Sequence, residues 1–229
     1  MFTDSVLVKI IVGLVFGAFL GIISVPLSKK LTLNRTEDPV KAAPLNKLAF
    51  KIFAVVLGII VSVTMTLTAT DTYELVRNLF LLIPIFSISI VDSLIRKIPN
   101  SLLLVMIVIQ AVYCAFYSIT NHTTQNLIMT GFGFFIGFAA CTVPSILRIP
   151  VGSGDIKYSA VIGLCIYFTG YVQAMVLMGI SGLICWAYLK LSKKGGLKTL
   201  IPMGPLLSIG TVITMCFPLL NKYLEDVAF

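Results

Sequence analysis

An all-α membrane bundle of about eight transmembrane helices is the fold class the sequence predicts, and three observations predict it. Of 229 residues, 58% are hydrophobic and only 11% are charged, whereas a soluble globular domain carries about 25% charged residues. The mean hydropathy is +1.04. The apolar residues also gather into runs close to the roughly 20 residues that a membrane-spanning helix needs, at 6–28, 48–69, 75–93, 101–119, 127–147, 156–170, 171–189 and 203–220. The chain reads as one membrane-embedded domain over residues 1–229.

The first run lacks a basic n-region and a small-residue cleavage site, so it is expected to be a retained helix rather than a signal peptide. Gly13, Gly17 and Gly21 form a small-residue stripe in it, and Gly133 and Gly137 repeat the spacing in the fifth run; such stripes let helix backbones approach closely. The polar stretch 29–47 is too short for a domain of its own and reads as a short basic cytoplasmic loop. After the third run, Ile98-Pro99-Asn100 stops one helix by its proline, and Asn100 or Ser101 is expected to cap the next. Before the last run, Ile201-Pro202-Met203-Gly204-Pro205 forms a helix entry that is rigid at two points and narrow at one.

Residues 156–189 admit two readings: a pair of short helices turning at Gly170, or a single long tilted helix. Charge decides between them. With the N-terminus outside and eight spans, one face receives 14 of the 17 basic residues, all but Lys9, Arg77 and Lys222. The positive-inside rule makes that face cytoplasmic. A single helix would carry Lys190, Lys193, Lys194 and Lys198 to the other side and weaken the asymmetry, so eight spans are expected in a multi-pass plasma-membrane protein.

The formal charge of +8 is explained by these loops, and nucleic-acid binding is not expected. Cys114, Cys141, Cys165, Cys185 and Cys216 all lie in apolar runs without a C-x-x-C pair, and His122 is the one histidine. That pattern suggests neither a structural zinc site nor a disulfide framework.

An ionisable side chain at or within a membrane is costly and hence a functional candidate. Asp4, Asp71, Glu74, Glu225 and Asp226 fall in outer loops or termini, and Glu37 and Asp38 in the basic loop. Two acids remain. Asp92 closes the third run, before Arg96 and Lys97; Asp155 opens the sixth in Gly152-Ser153-Gly154-Asp155-Ile156-Lys157. One helix out and one back separate them, so both are expected at the cytoplasmic membrane edge. Two carboxylates brought together in a partly desolvated place titrate as a unit. One then acts as a base toward water while the protonated one polarises a carbonyl, as in aspartic proteases. Without a nearby histidine or cysteine, two carboxylates would suit only a hard cation, and neither a metal nor a cofactor is expected. The structural alternatives are a helix-end pair of Asp92 with Arg96 and an N-cap role for Asp155. Gly152 and Gly154 favour a site, because they let an extended peptide come close and permit unusual backbone angles.

These residues together resemble the prepilin peptidase family, the membrane aspartic proteases of the GxGD class that include type IV prepilin and preflagellin peptidases. Asp92 with Arg96-Lys97-Ile98-Pro99-Asn100 is similar to the family's first aspartate and its downstream I-P-N. Gly152-Ser-Gly154-Asp155-Ile-Lys157 is similar to G-x-G-D-x-K around the second. Ile201-Pro202-Met203-Gly204-Pro205-Leu206 resembles the family's I-P-F-G-P-F, with Met203 and Leu206 replacing two phenylalanines, and Gly13–Leu20 resembles its opening helix. The resemblance implies that Asp92 and Asp155 are the catalytic pair, cleaving a basic leader from prepilin-like precursors on the cytoplasmic side. Gly152, Gly154 and Lys157 would then flank the substrate, with Arg96, Pro99, Asn100, Pro202, Gly204 and Pro205 as supports. Many bacterial members carry two zinc-binding C-x-x-C pairs in the first cytoplasmic loop, linked to N-methylation; residues 29–47 hold no cysteine, which implies a peptidase without the methyltransferase activity. The alternatives are a proton-coupled transporter, whose acids more often lie at the midplane of repeated halves, and an inactive homologue.

Overall fold

A computed structural model describes residues 6–36, 38–147, 151–192 and 202–220. Asp4, Glu37, Arg148, Lys193, Lys194, Lys198, Lys222, Glu225 and Asp226, assigned above to one face or the other, lie outside the described residues. Helices α1 (Val6–Leu33), α2 (Leu48–Thr68), α3 (Thr72–Ile95), α4 (Asn100–Asn121), α5 (Gln125–Ile146), α6 (Ser153–Leu191) and α7 (Met203–Cys216) make up the bundle, and no strand is found among the described residues. Six of them, α1 to α6, are long and apolar enough to cross a membrane. The protein is a multi-pass, all-α membrane bundle.

The stretch 29–47 is less of a loop than its polarity suggests. Helix α1 continues to Leu33, and Pro39–Asn46 forms a 3-10 helix whose N-cap Asp38 accepts a hydrogen bond from the Val40 amide. Its Leu45 is buried with Val25 of α1 and Ala54 of α2, so an isolated apolar residue every few positions was enough to fold the segment down. At the start of α3, Asp71 and Glu74 are likewise helix residues rather than loop acids: Asp71 caps the Tyr73 and Glu74 amides.

The glycine stripes do what their spacing predicts. A Cβ added at Gly13 would lie 2.6 Å from the Val63 backbone, and Gly17 and Gly21 meet the α2 backbone at Ile59 and Val55. The pairing 13–63, 17–59, 21–55 is an antiparallel hairpin whose two backbones nearly touch. Gly133 and Gly137 pack the same way on Gly163 and Ser159 of α6, where the Ser159 hydroxyl donates to the Gly137 carbonyl at 2.8 Å.

Helix α6 is 39 residues long and would span about 58 Å if straight, far beyond the roughly 30 Å hydrocarbon core. It is not straight. Tyr167 has φ 62° and ψ −177°, a region essentially reserved for glycine that costs an ordinary residue about 1–3 kcal/mol, and the chain reverses there. Before the break, Tyr158 meets Ser208 of α7. After it, Gly170 faces Thr214, Gly210 faces Ala174 and Gly182 faces Leu206, so residues 168–191 run back antiparallel to α7. The Ser159 and Tyr171 hydroxyls bond across the hairpin. Two helices instead of one long one, and with them eight apolar segments, are what the charge argument anticipated. The turn, however, sits at Tyr167 rather than Gly170, because a polar cage holds it there.

That cage surrounds Arg77, which is only 4% exposed. Its guanidinium donates to Glu74 Oε1 at 2.8 Å, to Asn78 Oδ1 at 2.9 and 3.1 Å and to the Tyr167 hydroxyl at 3.0 Å. It also lies 4.5 Å from the Tyr113 ring centroid and 5.5 Å from that of Tyr167. Around and below it, a core of Leu79, Leu82, Ile85, Ile88, Met106, Tyr158, Ile162 and Leu207 fills the space between α3, α4, α6 and α7. More than half of the apolar window of α3 is buried, 56%, against 22% for α1, α2 and α5. The helix that carries Asp92 is therefore the central post of the bundle.

Candidate functional site

Asp92 lies in the last turn of α3, at the opposite end from Arg77, and is 4% exposed. The helix ends four residues on, where Arg96 takes a left-handed conformation (φ 52°, ψ 42°) and returns its amide to the Asp92 carbonyl at 2.9 Å. Arg96 thus meets Asp92 through its backbone amide. Ile98 and Pro99 are buried behind this turn, while Arg96, Lys97 and Asn100 are exposed. Pro99 is the N-cap of α4 and makes no side-chain bond there; neither Asn100 nor Ser101 caps the helix. A proline of fixed φ already defines the turn.

Asp155 lies in the first turn of α6 and is half-buried. It is not the N-cap, as the structural alternative had it: Gly152 is. Gly152 has φ −67° and ψ 139°, angles any residue adopts, and no described glycine has a positive φ. The two glycines therefore matter for space rather than for backbone freedom. A Cβ on Gly152 would stand 2.8 Å from Asp155 Oδ2, whereas one on Gly154 would stand 3.4 Å from Ile98 Cβ, an ordinary contact. That second contact ties the turn after Asp92 to the loop before Asp155. Lys157 is exposed.

The fold places the two aspartates at the same end of the bundle, through the approach of Ile98, after Asp92, to Gly154, before Asp155. A third element completes the arrangement. Pro202 is the N-cap of α7, and the Gly204 amide in its first turn donates to Asp92 Oδ2 at 3.0 Å. First-turn amides have no partner within their own helix and carry the positive end of its dipole, so Asp92 receives a donor that favours a negative charge. Pro205, next along, has no N–H to offer. A Cβ at Gly204 would lie 2.6 Å from Asp92 Oδ2; only glycine lets the helix start come this near. From sequence the segment 202–205 demanded no function on physical grounds, and its contact with Asp92, 112 positions away, is visible only in three dimensions.

Tyr158 also escaped the sequence reading. Fully buried one turn after Asp155, it bonds through its hydroxyl to Ser208 Oγ at 2.7 Å, and Ser208 donates to the Gly204 carbonyl at 2.8 Å. Its signal was a tyrosine inside an apolar run, which alone reads as core. The chain Tyr158–Ser208–Gly204 fastens the start of α7 to α6 and so holds both carboxylates to one support.

One cavity lies beside Asp92 and another at the opposite end of the bundle. An apolar groove of about 420 Å³ between α2, α3 and α7 has Ser93 and Ser208 on its wall, and a polar one of about 60 Å³ adjoins Arg77 at the far end. Among the described residues, no group of three or more His, Cys, Asp or Glu side chains converges as a metal site.

This geometry allows two carboxylates, one held by a helix N-terminus and one on a half-exposed turn, to share a proton and a water. Comparison with known proteins bears on what such a pair does. No curated protein and no solved structure matches the chain. Residues 79–188 match the model of the type IV leader peptidase family, and that stretch contains Asp92, the I-P-N turn, Gly152, Gly154, Asp155 and Tyr167. Over residues 79–188 the chain is thus similar to the type IV leader peptidase family.

Proposed function

We propose that the protein is an aspartic endopeptidase of the membrane edge, with Asp92 and Asp155 as its catalytic pair, that removes the short basic leader of type IV prepilin-like precursors on the cytoplasmic side. The observation that carries the reading is the convergence of α3, α6 and α7 at the end of the bundle that holds both carboxylates, one of them bonded to the Gly204 amide. The Lys and Arg asymmetry supports the cytoplasmic side, since the aspartate end of the bundle is the end where α1 delivers Lys29 and Lys30 and where Arg96 and Lys97 stand.

In this mechanism the pair holds one proton between them and a water on the open side of Asp155. The ionised carboxylate takes a proton from the water as it attacks the scissile carbonyl, and the protonated one donates to the carbonyl oxygen. Collapse of the tetrahedral intermediate returns a proton to the departing amine. Only an extended backbone can present its carbonyl in this way, and Gly152, exposed beside Asp155, leaves room for it. The precursor's hydrophobic helix stays in the bilayer while the segment ahead of it reaches the edge. Residues 29–47 lack the cysteines of a zinc-binding loop, so the activity is peptidase without methyl transfer.

The test is cleavage of a co-expressed prepilin-like precursor by wild type, Asp92→Asn and Asp155→Asn, read by mobility shift and N-terminal sequencing. Cutting after the leader by wild type and by neither variant, at equal membrane levels, supports the pair. Full-rate cutting by either variant removes the two-aspartate mechanism.

A further inference from the structure

Arg77 and Asp92 stand on the same helix, 15 positions apart, or about 22 Å at 1.5 Å per residue. Tyr167 and Asp155 stand on the same first limb of α6, 12 positions or about 18 Å apart. Arg77 bonds Tyr167 at one end of these two rods, 3.0 Å from Nη1 to the hydroxyl, and at the other the turn after Asp92 meets the turn of Asp155, where a Cβ on Gly154 would stand 3.4 Å from Ile98 Cβ. Between the ends, α3 packs on α1, α4 and α7, and α6 packs on α4, α5 and α7, so α4 and α7 come between the two. The Gly204–Asp92 and Ser208–Tyr158 bonds link α3 and α6 by way of α7, whereas Arg77 bonds Tyr167 directly. A slip of one helical turn moves a residue 5.4 Å, and about 1 Å is enough to spoil a catalytic geometry.

We propose that Arg77 is a positioning residue: its bond to Tyr167 sets the axial register of α3 against α6, and thereby the meeting of Asp92 and Asp155 at the far end. Its kinetic consequence rests on the peptidase reading; its geometric one does not. Glu74 and Asn78, on its own helix, orient the guanidinium relative to α3. The one remaining edge is then aimed at a different element, and at the residue on which that element reverses. Tyr167 keeps a φ of 62° only while its side chain is held, and Arg77 holds it by the hydroxyl and lies over its ring. A lysine has three donors but gathers them on one compact ammonium, without the planar fork that spans Glu74, Asn78 and Tyr167 from fixed directions.

The test places nitroxide labels at the exposed Ser93 and Ser153 in a Cys185→Ser background and measures their distance by pulsed electron paramagnetic resonance. Wild type, Arg77→Lys and Tyr167→Phe are compared in the full chain reconstituted in nanodiscs. Kinetics on a prepilin-like precursor are run in parallel. Arg77→Lys is expected to shift or broaden the 93–153 distance by about 3–5 Å, up to a helical turn. Its kcat should fall about tenfold or more while KM stays within about twofold. Tyr167→Phe, which deletes one hydroxyl and keeps the ring, is expected to move both in the same direction by less, and it decides the matter if Arg77→Lys does not fold. An unchanged distance in the folded variants overturns the proposal whatever the kinetics. A shifted distance in a protein whose wild type cuts no precursor upholds the register and overturns the peptidase reading instead.

Discussion

The two ends of α3 each bury a charge, and they treat it in opposite ways. At one end Arg77 meets a carboxylate, an amide oxygen, a hydroxyl and two aromatic rings. At the other, Asp92 has the Gly204 amide and a second carboxylate at the same end of the bundle. A buried charge with most of its hydrogen-bond capacity filled, as by the four bonds from the five N–H groups of Arg77, holds a structure in place. One left short of partners, beside a like charge, is poised to exchange a proton. Charge burial alone therefore does not mark a site in this membrane protein; incomplete compensation does.

The comparison breaks if the two ends respond alike to neutralisation. Asp92→Asn and Asp155→Asn should each lower cleavage about a thousandfold or more while unfolding in detergent is unchanged or slightly harder, because a like-charge repulsion is relieved. Arg77→Met should show the reverse emphasis: removing one partner of a buried pair costs about 3–5 kcal/mol of stability, read by thermal unfolding in micelles. Equal stability losses on both sides would mean that the aspartates are structural.

Gly204 sharpens the aspartate end. Its Ala variant puts a Cβ 2.6 Å from Asp92 Oδ2, displacing the carboxylate from the helix start, and is expected to cost about 100-fold in kcat with normal insertion. Normal activity in Gly204→Ala would show that the amide bond is dispensable. The two glycines before Asp155 separate next. Gly152→Val should lower cleavage about tenfold, since even a Cβ there stands 2.8 Å from Asp155 Oδ2. Gly154→Ala makes only an ordinary contact with Ile98 and should cost about twofold; equal effects would point to backbone freedom after all. Smallest is Tyr158→Phe, which deletes one buried hydrogen bond and should cost about 1 kcal/mol of stability, measured by the same unfolding assay.

How far the sequence reaches is visible element by element. The helices of the α1–α2 and α5–α6 contacts were legible because a glycine every four residues admits one explanation, close backbone approach. The reversal within 156–189 was anticipated from Lys and Arg, although Tyr167, the actual turning point, carries no turn signal: tyrosine at positive φ is tolerated only inside a polar cage assembled from α3 and α4. Arg77, expected at the outer face, gave no hint of its burial, since its partners Tyr113 and Tyr167 lie 36 and 90 positions away. Asp92 and Asp155 stood out because each is an acid that no loop accounts for. The Gly204 amide did not, because a backbone group leaves no mark in the residue pattern.

Hydropathy, charge asymmetry and two unexplained acids determined by themselves that this is a multi-pass helical membrane protein whose unusual carboxylates lie at one edge. These are local quantities, summed over a window or read at one position, and the bilayer acts on them one segment at a time. Tertiary structure alone decided where α6 reverses, which amide meets Asp92 and what holds the opposite end of α3. Each of those is a directional hydrogen bond between residues far apart in the chain, and its strength depends on a geometry that only the packed bundle provides.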